Sequence, residues 1–238
     1  MSAEPPFSRD NLNEYLKALA KEFRRMNGTK TPAEIILVGG ASILVNYGFR
    51  ELTYDVDAVI IASSAMKDAI NNVGNKLNLP RGWLNADFKH TRSYSDKLLA
   101  VSVYYRTFSN LLRVRTIAAE YLIAMKLMSG RRYKNDISDI FGILREHKKA
   151  GNPIAKAAIE QAVIELYGDM AELPDQSIEL LDSTFEDGNF ESLYEKSRKD
   201  EKEAKEILID FDESNPNALK AERIDTVLEQ IKRKRDYK

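Results

Sequence analysis

The stretch "ILVGGASILVNYGFRELTYDVDAVII", residues 36–61, constrains this chain most, because it sets Asp55 and Asp57 one residue apart inside an apolar run. A strand alternates its faces, so the two aspartates project from one side while Val56 enters the opposite layer. Two carboxylates held that close repel, and the repulsion raises one pKa unless a cation sits between them. The alternative is an edge strand with one polar face, or a strand end with the acids in a turn. Composition narrows the choice of cation: there is no cysteine, and the two histidines, His90 and His147, cannot build a zinc site. A metal here is a hard ion held by carboxylates, Mg²⁺ or Mn²⁺.

The glycine pair upstream adds a second element. "EIILV" is short, apolar and bounded by Pro32 and Gly39–Gly40, which predicts a buried strand, and "ASILVNYG" fits about two helical turns. Glycines between a strand and a helix start let backbone N–H groups and the helix dipole approach a phosphate, with the Ser42 hydroxyl nearby. Alone, the pair is only a tight turn. Joined by one short helix to a pair of carboxylates, it describes one site: the turn grips nucleotide phosphates and the acids hold metal. Arg50 and Thr53, just ahead of the acids, are placed to serve the same phosphates.

Elsewhere the patterns are ordinary. "SRDNLNEYLKALAKEFRRMNG" predicts an amphipathic helix capped by Ser8 and closed by Gly28. "DVDAVII" predicts a strand, "SSAMKDAINNVGNKLN" a helix, and "KLLAVSVYY" and "LLRVRTI" two strands close enough to form a hairpin. Helices are expected over 117–129, 135–147, 153–167, 189–209 and 216–235, with 174–189, rich in acids and turn formers, as a linker. The expected fold is α/β (α+β), a small mixed sheet flanked by helices, followed by a helical C-terminal region. Its expected parts are a core over 1–116, a helical part over 117–173 completing the site, and a charged extension over 174–238.

Lys126 stands out independently. The helix around it, "IAAEYLIAMKLM", is apolar on nearly every face, which implies burial, and a buried ammonium requires an anion. That anion is either a triphosphate or a carboxylate such as Asp136 or Asp139; otherwise the side chain reaches the surface along its stem. Asp136 and Asp139 share a helical face, although Asp136 also suits a helix N-terminus for dipole reasons alone.

These residues carry a resemblance. "VGGASILVNYGFRELTYDVDAVI" resembles the signature of the nucleotidyltransferase superfamily that includes DNA polymerase β: a glycine turn, a helix and an Asp-x-Asp strand. "EYLIAMKLMSGRRYKNDISDIFGIL" is similar to the lysine helix and aspartate helix of the AbiEii-type branch of bacterial toxin and toxin-like nucleotidyltransferases. The resemblance spans residues 35–147 and implies the nucleotidyltransferase fold. It implies a catalytic core of Gly39, Gly40, Asp55 and Asp57, with Lys126 and Asp139, and Asp136 beside them, completing the nucleotide site. It also implies an NTP substrate, an RNA or protein acceptor, and a cognate antitoxin as partner. Many members carry a third carboxylate on a later strand, for which "LLAVSVYY" offers none; Asp96 or Asp87 are the substitutes within reach.

The expected activity is metal-dependent transfer of a nucleoside monophosphate from an NTP to an acceptor hydroxyl. Two other readings stay open: an inert nucleotide- or partner-binding protein of the same fold, and a small-molecule (antibiotic) nucleotidyltransferase. No apolar stretch reaches membrane-spanning length and "MSAEPPFSRD" lacks a signal-peptide pattern, so a cytoplasmic protein with no membrane partner is expected. The net charge of -1 hides a basic block over 89–134 and an acidic one over 169–213. The basic block suits an anionic ligand, unless the two simply neutralise each other.

Overall fold

Ser8 fixes where the first helix begins. In the computed structural model, which describes residues 6–29, 31–130 and 135–215, the Ser8 hydroxyl accepts from Asn11 N–H at 3.3 Å. Asn11 Oδ1 accepts in return from Ser8 N–H at 2.9 Å, a reciprocal cap that satisfies two helix-end donors. Helix α1 (Arg9–Asn27) buries Leu12, Leu16, Leu19 and Phe23 at helical spacing and stops at Gly28, whose φ of 73° favours glycine. The capped, glycine-closed helix read from the sequence is present.

The chain divides into two compact units, Met1–Met125 with Gln161–Asp169, and Lys126–Glu160 with Met170–Lys238. In the first, β1 (Ala33–Leu37) leads through α2 (Gly39–Asn46) to β2 (Val56–Ile61) and α3 (Ala65–Leu77). A two-residue β3 (Leu84–Asn85) and the hairpin of β4 (Ser102–Phe108) and β5 (Leu112–Ile117) complete a sheet ordered β3-β2-β1-β5-β4. Strand β1 runs antiparallel to β2 and parallel to β5, so the sheet is mixed. Period-two alternation sends Ile35, Leu37, Val56, Ala58, Leu112 and Val114 into one core with the apolar faces of α1 and α3. Each large side chain buried there contributes roughly 1.5–3 kcal/mol relative to exposure.

Two local readings are corrected. The strand expected over "KLLAVSVYY" begins only at Ser102, because Asp96–Leu99 closes a 3₁₀ turn whose Lys97 N–H is taken by the Ser95 hydroxyl. Strand β3, inside the stretch "WLNADFKHTRSYS" that the sequence reads as a polar loop, has no counterpart among the expected strands; two residues are too few to show a period.

Glu22 joins α1 to α3. Its carboxylate, 7% exposed, accepts from Arg25 at 2.7 Å, from Lys76 at 2.9 Å and from Asn72 at 3.0 Å. The Arg25 bond first, then those from Lys76 and Asn72, outweigh burial and hold the carboxyl down from 4.5 to about 2. A depressed folded pKa gives stability that is complete above the unfolded value and is lost as pH falls through the folded one. Glu22→Gln should therefore lower the melting temperature at pH 7. The gap to wild type should close between about pH 4.5 and 2; melting curves across that window check it, and a gap that stays constant would refute it.

In the second unit α4 (Ala119–Ser129) contributes its last residues, followed by α5 (Asp136–Lys149) and the start of α6 (Lys156–Tyr167). Helices α7 (Asp175–Asp187) and α8 (Phe190–Ser214) come next. The segment 174–189 is thus a helix and its cap instead of a linker: Leu181 and Thr184 are buried on one face of α7, and Gly188 ends it at a φ of 67°. Helix α8 packs against α5, and Glu201 of α8 accepts from Ser138 N–H at 3.0 Å and from the Ser138 hydroxyl at 2.6 Å. A carboxylate at the first turn of α5 satisfies an orphan donor and complements the helix dipole. The expected helix over 216–235 lies outside the described residues. Among those described, no helix is long and apolar enough to cross a membrane.

Candidate active site

Strand pairing explains how the glycine turn and the aspartates come together. Because β2 is antiparallel to β1, with Leu37 opposite Ala58, the end of β1 lies beside the start of β2. Val38 N–H donates to Asp57 C=O at 3.0 Å, fixing the residue before the glycine pair against the second aspartate. Helix α2 begins at Gly39 itself, two residues earlier than read from the sequence, and its cap residue Val38 has no side-chain acceptor for the first-turn N–H groups. Asp57 is half-buried and, by alternation, faces away from the core residues Val56 and Ala58. Asp55 is exposed and precedes the strand, which starts at Val56, so only one of the pair lies within regular structure.

The two glycines serve different purposes. Gly39 has a φ of 53°, a left-handed conformation that costs other residues about 1–2 kcal/mol. Gly40 is helical and matters for space: a Cβ there would lie 2.8 Å from Thr53 Oγ1 and 2.9 Å from Arg50 Nη2. Arg50 and Thr53, picked from the sequence as phosphate groups, therefore sit directly over the first turn of α2. Arg50 Nε also donates to Leu52 C=O at 3.3 Å, which orients the guanidinium. Gly40→Ala forces the Arg50 guanidinium aside and crowds the buried Thr53 hydroxyl, so the melting temperature should fall somewhat. Displacing the Arg50 guanidinium should weaken nucleotide binding about tenfold, a loss of about 1.4 kcal/mol; titration with a fluorescent ATP analogue measures it, and unaltered affinity would count against a site at this turn.

Ser42 is placed differently from expectation. It is fully buried, and its hydroxyl accepts from Ile117 N–H at 3.2 Å, tying α2 to the end of β5. The sequence set that hydroxyl beside the phosphates; one helical turn carries it to the core side. Strand β3 gives Asn85, which the sequence reads only as part of the polar stretch "WLNADFKHTRSYS", a definite place: it is the cross-strand partner of Asp57. Asp87 and Asp96, the substitutes for a third carboxylate, are both exposed at the starts of 3₁₀ turns, and Asp87 N–H is held by Asn85 Oδ1 at 2.9 Å. The nearest polar side chain by register to Asp57 is thus a neutral carboxamide. Only the cross-strand pairing exposes it, and that pairing leaves no mark in the local sequence.

The other group predicted from the sequence lies in the second unit. Lys126 Nζ is 2.5 Å from Asp136 Oδ1 and 2.8 Å from Asp139 Oδ2, and the three side chains are 10%, 4% and 3% exposed. Ser129 Oγ donates to the second Asp136 oxygen at 2.8 Å. Burial alone would lower the Lys126 pKa, but the Asp139 and Asp136 carboxylates overcome it and raise it above 10.5. Of the alternatives left open for this lysine, the carboxylate partners are present and the side chain does not reach the surface. Arg131, Arg132 and Lys134 lie outside the described residues.

Among the described residues no cluster of three or more His, Asp or Glu forms a metal cage. What the first unit offers is two carboxylates on one short segment, Asp55 and Asp57, close to a helix start where Gly40 lets Arg50 and Thr53 approach the backbone. That donor set fits Mg²⁺, which is commonly held by one or two carboxylates with water and substrate phosphates as its remaining ligands.

A family model described as "Nucleotidyltransferase of unknown function (DUF6036)" matches residues 14–144, more than half of the chain. No curated protein and no solved structure matches.

Proposed function

We propose metal-dependent nucleotide transfer for this chain, which belongs to the DUF6036 family of nucleotidyltransferases of unknown function. A nucleoside monophosphate passes from a nucleoside triphosphate to an acceptor hydroxyl, and pyrophosphate leaves. The observation that carries this reading is the β1–β2 register, which sets the uncapped first turn of α2 beside Asp57 with Gly40 kept bare under Arg50.

In this reading the phosphates lie at the N-terminus of α2, where backbone N–H groups and the helix dipole favour an anion, and Arg50 supplies a fixed cation. Asp55 and Asp57 hold Mg²⁺ or Mn²⁺. A divalent ion held there would supply charge neutralisation at the phosphates. The acceptor oxygen forms a bond to the α-phosphorus, the bond from that phosphorus to the α–β bridging oxygen breaks, and the hydroxyl proton passes to solvent. Helix α2 and β5, joined through Ser42 and Ile117, keep the turn rigid while charge shifts toward pyrophosphate, so the stabilising groups need no reorganisation.

An RNA acceptor is favoured by the segment after β3. Its 3₁₀ turn, Asp87–His90, packs against β2, and Lys89 and Arg92 are exposed around it, a basic rim beside the carboxylates that suits a phosphate backbone. The test is incubation with each labelled NTP, Mg²⁺ and a total lysate, followed by separate nuclease and protease digestion. Label in a nuclease-sensitive, protease-resistant product is expected. No label with any NTP would leave the inert binding protein as the better reading, and label equally strong with Asp57→Asn would remove that carboxylate from the reaction.

A further inference from the structure

We propose that Phe7, Arg9 and Thr53 form a positioning clamp that sets the Asp55 carboxylate against the glycine turn; this rests on the reading of that turn as the metal and nucleotide site. The clamp begins outside the residues that match the family, which start at position 14.

Asp55 lies at the end of an irregular stretch that follows α2, and a carboxylate on such a stretch loses conformational freedom whenever it binds an ion. The stretch is anchored at Thr53. Phe7 N–H donates to Thr53 C=O at 2.7 Å and Thr53 N–H to Phe7 C=O at 2.9 Å, an isolated antiparallel bridge. Thr53 is buried, and its hydroxyl lies 3.2 Å from Asp55 Oδ1 and 3.2 Å from the Asp55 backbone oxygen. The same oxygen is the atom that a Cβ on Gly40 would strike, so Thr53 touches both halves of the site.

The bridge is itself held from two sides. The buried Phe7 ring packs edge-on against Tyr15 at 6.0 Å and stacks with Trp83 at 6.4 Å, and Trp83 Nε1 donates to Ile70 C=O at 3.1 Å. Trp83 leads directly into β3, whose Asn85 faces Asp57, so one aromatic cluster braces the chain on either side of the aspartates. Ser8 caps α1, and the next residue, Arg9, donates from Nε to Leu44 C=O at 3.2 Å in the last turn of α2. A cation at that end complements the dipole whose positive end faces the glycine turn. Three consecutive residues thus fix the carboxylate stretch, the start of α1 and the far end of the phosphate helix. In this arrangement Thr53 acts through Asp55, and its hydroxyl proton is engaged with that residue.

Groups that orient a metal ligand typically account for about 10–100-fold in affinity. The test uses Mn²⁺ as probe, followed by water-proton relaxation, on full-length wild type, Thr53→Val, Thr53→Ser, Phe7→Ala and Asp57→Asn, with a melting curve for each. Thr53→Val keeps the shape and loses the hydroxyl; its Mn²⁺ dissociation constant should rise about tenfold with little change in melting temperature. Thr53→Ser should restore wild-type affinity, a rescue that a packing role would not give. Phe7→Ala should show the same loss of affinity at a lower melting temperature, and Thr53→Val alone decides the matter if Phe7→Ala does not fold. Equal Mn²⁺ affinity in wild type and Thr53→Val overturns the clamp. So does a Thr53→Val that keeps Mn²⁺ but loses metal-free ATP binding, because the hydroxyl would then belong to the phosphates. If wild type shows no Mn²⁺ binding that Asp57→Asn removes, the metal-site reading itself fails and the clamp falls with it.

Discussion

Lys126→Met should cost about 3–5 kcal/mol of folding stability in the absence of any ligand, the largest loss expected from a single substitution outside the apolar core. The reason is the arrangement around the ammonium: it is paired at 2.5 and 2.8 Å with two carboxylates that are themselves almost fully buried. Methionine keeps the stem but removes the ammonium that both buried carboxylates contact, and taking one partner out of a buried charge cluster costs far more than a missing contact. The triple variant Lys126→Met, Asp136→Asn, Asp139→Asn should regain much of the loss, since removing all the charges of a buried cluster is often tolerated where removing one is not. The raised lysine pKa sets the sign of the pH effect: its contribution is complete below the unfolded value of 10.5 and is lost only as pH rises through the higher folded value. Chemical denaturation of the single and triple variants at pH 7 measures the difference. A single variant that unfolds like wild type while losing nucleotide affinity would return Lys126 to the substrate.

Lys126 also shows what kind of information a sequence carries. A lysine on a helix apolar on nearly every face declares its burial and its need for an anion, because both follow from local period and from the cost of desolvation. Which anion it finds depends on how α4 and α5 pack, and the sequence left that open between a carboxylate and a ligand. The same division holds at the glycine turn. The strand, the turn, the helix and the hairpin were legible because each is set by residues within a few positions of one another. The register that sets Val38 against Asp57 and Asn85 across from it depends on pairing between segments about 20–30 residues apart, which no local pattern encodes. Ser42 was misplaced for a related reason: in an eight-residue helix with Ile43, Leu44 and Val45 buried together, the pattern does not say which side faces the sheet. The sequence of helix α7 reads as a linker because its acids obscure the short buried face of Leu181 and Thr184. The sequence reads the stretch through α8 as a charged helical extension without saying what it packs against, yet Phe190, Ala204 and Ile207 lie buried along it, and Glu201 meets Ser138.

Asp57→Asn should lower nucleotide transfer by on the order of 10²–10³-fold, the loss that follows removal of one group that stabilises transition-state charge. The substitution is nearly isosteric, and Asp57 is tied into the sheet through its backbone, accepting from Val38 N–H, so the strand pairing that defines the site survives the change. Asparagine would also place two carboxamides opposite each other, at 57 and at Asn85, neither able to hold a divalent cation with a charged oxygen. Asp55→Asn should show a comparable loss of transfer with a smaller structural footprint still, because Asp55 is exposed and lies ahead of the strand. Stability gives a readout independent of turnover. An ion that binds only the folded state raises the melting temperature in proportion to the logarithm of its concentration over its dissociation constant. Wild type should therefore melt higher as Mn²⁺ is added, whereas both variants should respond much less. Without metal the order should invert or vanish: two nearby carboxylates repel, so neutralising either leaves the apo protein as stable as wild type or slightly more so. Variants that melt far below wild type in the absence of metal would show that the aspartates hold the fold, and full transfer activity in both would remove them from the reaction altogether.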